Sequence, residues 1–144
     1  MIGAYFDSSV YIRIILNEEH LLREWDSIDL GISSTLLRVE CHRTIERVWR
    51  NRDLNDSQYE AARTKADDML RHVHLAAIDD DVIALAAKPF PRFVNSLDAI
   101  HLATAITYRR TQPKNERPIL FATHDIALAK AAAAMHFEVI GASV

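Results

Sequence analysis

Four acidic residues give this sequence its strongest signal for chemistry: Asp7, Glu40, Asp98 and Asp125. Hard cations such as Mg²⁺ and Mn²⁺ prefer carboxylate and water oxygens. Carboxylates placed together raise one another's pKa values, and a bound divalent ion removes that cost. The same ion lowers the pKa of a bound water and stabilises charge on a phosphoryl oxygen. An acidic cluster without cysteine ligands therefore suits phosphodiester hydrolysis better than a structural zinc site.

Two of these acids follow apolar segments that are short enough to be buried strands. Residues 2–6 form an apolar run that ends at Asp7, and residues 119–123 form a second run just before Asp125. In an open parallel sheet, ligands bind outside the carboxyl ends of the strands. The sequence therefore predicts that Asp7 and Asp125 lie at the same edge of a sheet.

The other two acids lie near the starts of predicted helices. Ser34 or Thr35 is a cap residue for a helix that runs to about residue 51 and contains Glu40. Ser96 is the expected cap of a strongly apolar helix that contains Asp98. Both helices are expected to begin at or near the edge that carries the other two acids.

The pattern of elements predicts an α/β fold, with a central parallel β-sheet flanked by α-helices. Alternation of strands and helices along a chain is typical of a parallel sheet covered on both faces. A length of 144 residues fits one domain, expected to span residues 1–144, and 49% hydrophobic residues suffice for a core. The predicted strands are 2–6, 30–33, 74–78, 119–123 and 137–140.

Charge and cysteine content limit the partners and the compartment. The formal net charge of −3 excludes a strongly basic domain, although a local basic patch remains compatible with a nucleic-acid substrate. Cys41 is the single cysteine, which favours a reducing compartment. The N-terminus lacks a signal-peptide pattern, and no apolar stretch approaches the roughly 20 residues of a membrane span. We expect a cytoplasmic protein without membrane contact.

Several of these positions have a structural interpretation as well as a functional one. An aspartate after a strand is often a helix cap, which would explain any one of the acids taken alone. Ser8 or Ser9 is either a helix cap or a ligand of a metal-bound water or phosphate. The Thr123 hydroxyl has two expected roles: a hydrogen bond to a carboxylate or water in the site, or a hydrogen bond to the backbone at the end of its strand. His101 is interpreted as a hydrogen-bonded core residue and not as a metal ligand.

Four segments together resemble the PIN-domain ribonucleases, most closely the VapC-type toxins of toxin–antitoxin pairs. The segment YFDSS at residues 5–9 resembles the opening strand and first metal-binding aspartate of that family. SSTLLRVE at 33–40 resembles the segment that ends in the catalytic glutamate. LDAIHLATA at 97–105 is the strongest match, and FATHDIALA at 121–129 resembles the final acidic motif. The matching segments extend over nearly the whole chain.

This resemblance implies a role for all four acids and several partners. Asp7, Glu40, Asp98 and Asp125 would bind one or two Mg²⁺ or Mn²⁺ ions, with possible support from Ser9. Support of the site by Thr123 follows from its position two residues before Asp125 and not from the resemblance. The substrate would be RNA, often tRNA or ribosomal RNA. An antitoxin would block the site with a basic side chain, and the toxin would form a homodimer.

One part of the chain departs from the family pattern. Many relatives carry a basic residue two or three positions before the aspartate of the third motif, where this chain has Val94, Asn95 and Ser96. The nearest arginine is Arg92, so the RNA contact that relatives make at this position is not expected in this chain. The arginines between residues 38 and 52 either contact RNA phosphates or form an ordinary solvated helix face.

The leading hypothesis is a metal-dependent endoribonuclease, acting as the toxin of a type II toxin–antitoxin pair. One alternative is a catalytically silent PIN-like module whose acids only bind a basic partner. Another is a metal-dependent phosphohydrolase acting on small esters. A second aspartate two residues after Asp7 would suit a phosphoaspartate route. Because that position is Ser9, the sequence weighs against this last alternative.

Overall fold

A computed structural model describes residues 1–142 and has the expected α/β architecture. Its strands form one parallel sheet with the spatial order β3-β2-β1-β4-β5. The strands are β1 (Gly3–Phe6), β2 (Leu30–Ser34), β3 (His74–Ala76), β4 (Leu120–Ala122) and β5 (Val139–Ile140). The helices are α1 (Ser8–Ile15), α2 (Leu36–Arg50), α3 (Asp56–Leu70), α4 (Asp80–Ala86), α5 (Ser96–Thr111) and α6 (Ile126–Ala134), with a short 3-10 turn at Trp25–Ser27.

The central strand β1 is buried on both faces and separates two apolar clusters. Successive side chains of a strand point to opposite faces, so Phe6 and Tyr5 enter different clusters. Phe6 packs with residues of α1, α2 and α3, including Leu37. Tyr5 packs with residues of α5 and α6, including Leu102. This two-sided burial fixes β1 rigidly and with it the residue that follows, Asp7.

All five predicted strands and the helices between them are present, but the predicted caps of two helices, α1 and α5, are wrong. Asp7 is at the cap position of α1, and neither Ser8 nor Ser9 caps that helix, because their hydroxyls bond acidic side chains instead. The cap of α5 is Asn95, whose side chain accepts a hydrogen bond from the Asp98 amide, and Ser96 is the first helical residue.

The helices of residues 1–142 include none that combines the length and the apolar character needed to cross a bilayer.

Candidate active site at the carboxyl edge of the sheet

The candidate site begins where two neighbouring strands end. Strands β1 and β4 are paired, with Phe6 opposite Ala122, so the next residues of both strands emerge side by side. The Asp7 amide continues this pairing by donating to the Ala122 carbonyl at 3.3 Å. Asp7 and Thr123 therefore lie together at the carboxyl edge of the sheet, where parallel sheets bind ligands.

Asp7 is the buried centre of the site, with only 4% of its surface exposed. Its Oδ1 accepts a hydrogen bond from Ser9 Oγ at 2.6 Å, and its Oδ2 accepts one from Thr123 Oγ1 at 2.8 Å. Burial raises the pKa of Asp7, and the Ser9 hydroxyl partly opposes that rise. Because the Asp7 side chain does not bond the start of α1, the helix-cap interpretation of this residue is wrong.

The Ser9 and Thr123 hydroxyls connect Asp7 to the loop between β4 and α6. Ser9 Oγ accepts a hydrogen bond from the His124 amide at 2.9 Å while donating to Asp7. Thr123 Oγ1 accepts one from the Asp125 amide at 3.0 Å while donating to the other Asp7 oxygen. These bonds hold both carboxylate oxygens in fixed positions, which is the supporting arrangement that metal and catalytic carboxylates commonly have.

Glu40 lies in the second turn of α2 and is held by two donors. His101 Nε2 lies 2.5 Å from Glu40 Oε1, and Ser8 Oγ donates to Oε2 at 3.2 Å. The Glu40 side chain is 16% exposed, whereas that of His101 is 1% exposed. Sequence reasoning placed His101 correctly as a hydrogen-bonded core residue, but it did not identify Glu40 as its partner.

Asp98 lies in the first turn of α5 and is half-buried. Its pKa is raised to about 6, first by burial and then by the negative charges of Asp125 and Asp7. Glu40 raises the same pKa further, while His101 lowers it. Coulombic effects of this kind require short separations, so the four acids predicted from sequence share one electrostatic environment.

Asp125 has the most peripheral position of the four acids. It is the cap of α6, and its Oδ1 accepts a hydrogen bond from the Leu128 amide at 2.9 Å. Its side chain is exposed, in contrast to that of Asp7. The cap interpretation is therefore correct for this acid, although its charge still raises the pKa of Asp98.

The acids fit a divalent metal by chemistry and by charge. Within residues 1–142, no group of three His, Cys, Asp or Glu side chains is arranged to hold an ion as it stands. The donors at this edge are nevertheless carboxylates and hydroxyls, the groups that hard ions prefer. Mutual repulsion contributes to the raised pKa of Asp98 and Asp7, and a divalent ion would relieve it.

Comparison with known proteins gives concordant matches at the level of family and fold. The family model described as the PIN domain matches residues 4–134. Ribonuclease VapC46 of Mycobacterium tuberculosis (strain ATCC 25618 / H37Rv) is 32% identical over 108 residues, covering 73% of this chain and 75% of that protein. Ribonuclease VapC47 of Mycobacterium tuberculosis (strain CDC 1551 / Oshkosh) is 32% identical over 113 residues, covering 74% and 76%.

Two solved structures share the fold at low sequence identity. VapBC-5 from Mycobacterium tuberculosis, a member of the VapBC family of toxin–antitoxin systems, superposes with a TM-score of 0.66 at 15% identity, covering 97% of this chain and 98% of that one. FitAB bound to an IR36 DNA fragment superposes with a TM-score of 0.68 at 16% identity, covering 96% and 93%. The resemblance inferred from the four sequence segments and the α/β fold class are both confirmed.

Proposed function

The chain belongs to the PIN-domain family, and we infer that it is an endoribonuclease of the VapC toxin type. The observation that supports this most directly is the convergence of four carboxylates at one edge of the sheet. Asp7 is buried there between two hydroxyl donors, and the charges of the other acids act on one another. We take residues 1–144 as one nuclease domain.

The metal in this proposal is Mg²⁺ or Mn²⁺, which Asp7 and Asp98 would hold, with contributions from Glu40 and Asp125. When bound, such an ion lowers the pKa of a coordinated water and offsets charge on the phosphate. The chain's own groups supply the remaining functions. Asp7 is fixed by its two hydroxyl donors, while Glu40 accepts the proton of the attacking water. Asp125 contributes chiefly through its charge, because one of its oxygens caps α6.

An arginine row on α2 supports an RNA substrate over a small phosphate ester. Arg43, Arg47 and Arg50 follow Glu40 at intervals of three, seven and ten residues, which places all four on one face of the helix. The three arginines line a shallow groove of about 500 Å³. Glu46 pairs with Arg43 at 2.6 Å and with Arg50 at 3.7 Å. A polynucleotide leaving the acid cluster along α2 would place its phosphates beside this row.

The proposed protein partner is a cognate antitoxin. Phe93 is 90% exposed, Leu97 48% and Ile126 60%, all close in sequence to Asp98 or Asp125. A groove on this side of the site is lined by Arg92, Phe93, Ile126 and Lys130. Apolar side chains exposed to this degree are typical of an interaction surface. We also propose that the toxin forms a homodimer and acts in the cytoplasm, where tRNA and ribosomal RNA are found.

The test is cleavage of a single-stranded RNA and of a folded tRNA transcript by the purified chain with Mn²⁺. We expect cleavage by the wild type and a loss of at least about 100-fold in Asp7→Asn and Asp98→Asn. Asp53→Asn is the matched control, because Asp53 is exposed in the turn after α2. Cleavage that is unchanged in both site variants would refute the assignment.

Two other outcomes separate the alternative functions. Hydrolysis of a small phosphate ester without RNA cleavage would favour the phosphohydrolase. Binding of a basic partner without Mn²⁺ affinity in calorimetry would favour the silent module.

A further inference from the structure

A buried chain of hydrogen bonds connects the middle of the central strand to Glu40. Tyr5 Oη lies 2.7 Å from His101 Nδ1, and His101 Nε2 lies 2.5 Å from Glu40 Oε1. Tyr5 is fully buried, and the His101 side chain is 1% exposed. The three residues come from β1, α5 and α2, so these hydrogen bonds join three elements at one point beneath the carboxyl edge.

The donor and acceptor properties of these groups fix the direction of the bond between His101 and Glu40. An ionised carboxylate only accepts, so His101 Nε2–H must be the donor to Glu40. Nδ1 accepts from the Tyr5 hydroxyl when the imidazole is neutral and donates to the Tyr5 oxygen when it is protonated, so Nε2 donates to Glu40 in both states. Burial raises the pKa of Tyr5, which keeps this hydroxyl protonated and able to donate.

Packing around Tyr5 holds the first residue of this hydrogen-bond network rigidly. The Tyr5 ring stacks on Phe121 with a centroid separation of 5.4 Å and an interplanar angle of 23°. It meets the His101 ring edge-on at 5.8 Å. Tyr5 and Phe121 are also paired residues of neighbouring strands. The hydroxyl that orients His101 therefore has the positional precision of the sheet itself.

Glu40 needs such support because it is carried by a long side chain on a helix. Its Oε2 has a single weaker donor, Ser8 Oγ at 3.2 Å. Asp7, in contrast, is short and directly follows a strand, with both oxygens bonded at 2.8 Å or less. Without His101, rotation about the Glu40 side-chain torsions would remove its carboxylate from the acid cluster.

We propose that His101 is a positioning residue for the reaction: oriented by Tyr5, it holds the Glu40 carboxylate towards the acid cluster. The catalytic importance of this arrangement rests on the proposed nuclease function. His101 acts through Glu40 and does not itself touch the substrate. Sequence position alone does not distinguish this role from that of any other histidine in an apolar helix.

Three variants test the Tyr5–His101–Glu40 hydrogen bonds one at a time. His101→Leu removes the donor at similar volume, and it should lower kcat for RNA cleavage about 10- to 100-fold with little change in KM. His101→Gln places an amide N–H near the position of Nε2, and it should recover most of that loss. Tyr5→Phe keeps the stacked ring but frees Nδ1, so we expect a smaller loss of about 3- to 10-fold.

A double-variant comparison separates positioning from general damage to the fold. Glu40→Gln should abolish most activity, and the Glu40→Gln/His101→Leu variant should be no less active than Glu40→Gln alone. Multiplicative losses would show that His101 acts independently of Glu40 and would overturn the proposal. So would unchanged kcat in a folded His101→Leu protein, verified by circular dichroism.

A structural readout keeps this test independent of RNA cleavage. Crystal structures should show the Glu40 carboxylate displaced or in two conformers in His101→Leu, and in its wild-type position in His101→Gln. If the wild type does not cleave RNA, the nuclease proposal fails, yet these crystal structures still decide whether His101 positions Glu40. An unmoved Glu40 in His101→Leu would refute the positioning role whatever the kinetics.

Discussion

Replacing Asp98 with asparagine should make the metal-free protein more stable at about pH 8, although it removes a charge from the candidate site. Burial and the charges of Asp125 and Asp7 raise the pKa of Asp98 from its ordinary value of 3.8 to about 6. The folded protein therefore binds this proton more tightly than the unfolded chain does. As a result, ionising Asp98 lowers the free energy of unfolding.

The size of the effect follows from these pKa values. The interval from 3.8 to about 6 corresponds to about 3 kcal/mol at 25 °C. Because Asp98 is only half-buried, solvent screening reduces this upper limit to about 1.5 kcal/mol. Its place in the first turn of α5 favours a negative charge by about 0.5 kcal/mol. We therefore expect Asp98→Asn to gain about 1 kcal/mol, or about 3 °C in Tm.

Thermal unfolding in EDTA at about pH 8 and pH 4.5 measures this gain. Because the folded pKa of Asp98 is the higher one, the stability contributed by its protonated form is fully present below about pH 4. That contribution is lost as the pH rises through about 6. The gain in Asp98→Asn should thus be smaller at pH 4.5 than at pH 8.

Two results would refute this reasoning. One is a Tm at pH 8 that does not exceed that of the wild type, which would mean that Asp98 is not strained by its neighbours. The other is an equal gain at both pH values, which would show that the effect is not electrostatic. Asp53→Asn, in an exposed turn, is the control and should change the Tm very little at either pH.

Three further predictions concern the metal, the RNA and the strand end beside the site. Mn²⁺ should raise the Tm of the wild type and raise that of Asp7→Asn less; equal rises in calorimetric scans would contradict a site built on Asp7. Arg47→Ala should weaken RNA binding and reduce its salt slope by about one, as seen in titrations at several salt concentrations. The control Arg117→Ala, in the exposed loop that precedes β4, should leave both unchanged. Gly141 has φ of 96°, and an added Cβ would lie 2.5 Å from the Thr123 carbonyl oxygen. Gly141→Ala should therefore cost about 1–3 kcal/mol in denaturant unfolding and lower RNA cleavage; an unchanged midpoint would show that this strand end relaxes freely.

The strand-borne part of the site was largely predictable from sequence. Apolar runs ending at Asp7 and just before Asp125 indicated two buried strands, and parallel strands present their carboxyl ends at one edge. The sequence did not indicate that β1 and β4 are immediate neighbours. That pairing brings Thr123 within hydrogen-bonding distance of Asp7. Strand order depends on how the helices cover the sheet, which local patterns do not encode.

The helix-borne part was less predictable, because it depends on how helices are rotated and packed. Apolar spacing placed Glu40 and Asp98 near the same edge, and the raised pKa of Asp98 supports that placement. The contact between His101 and Glu40 joins residues 61 positions apart. This contact forms only when α2 and α5 have packed on opposite faces of the sheet and each helix has its final rotation about its own axis. Hydrophobic periodicity gives the buried face of a helix but not the partner of one polar atom.

Helix caps were the least reliable predictions, since one side chain has several local options. Ser9 fits a cap pattern, yet its hydroxyl donates to Asp7 and accepts from the His124 amide. Asp125 does cap its helix and remains part of the acidic site. A local motif cannot distinguish these outcomes, because the competing partner comes from the other end of the chain.

The sequence by itself determined the α/β class and the family, and it predicted the four acids of the candidate site, because these depend on periodicity, strand ends and local motifs. Only the tertiary structure decided how the acids are supported. Asp7 receives its hydroxyl donors through the β1–β4 pairing, Glu40 is held by His101, and Asp125 is partly committed to its helix. Hydrogen bonds depend on ångström distances between segments distant in sequence, and those distances exist only after the core has packed.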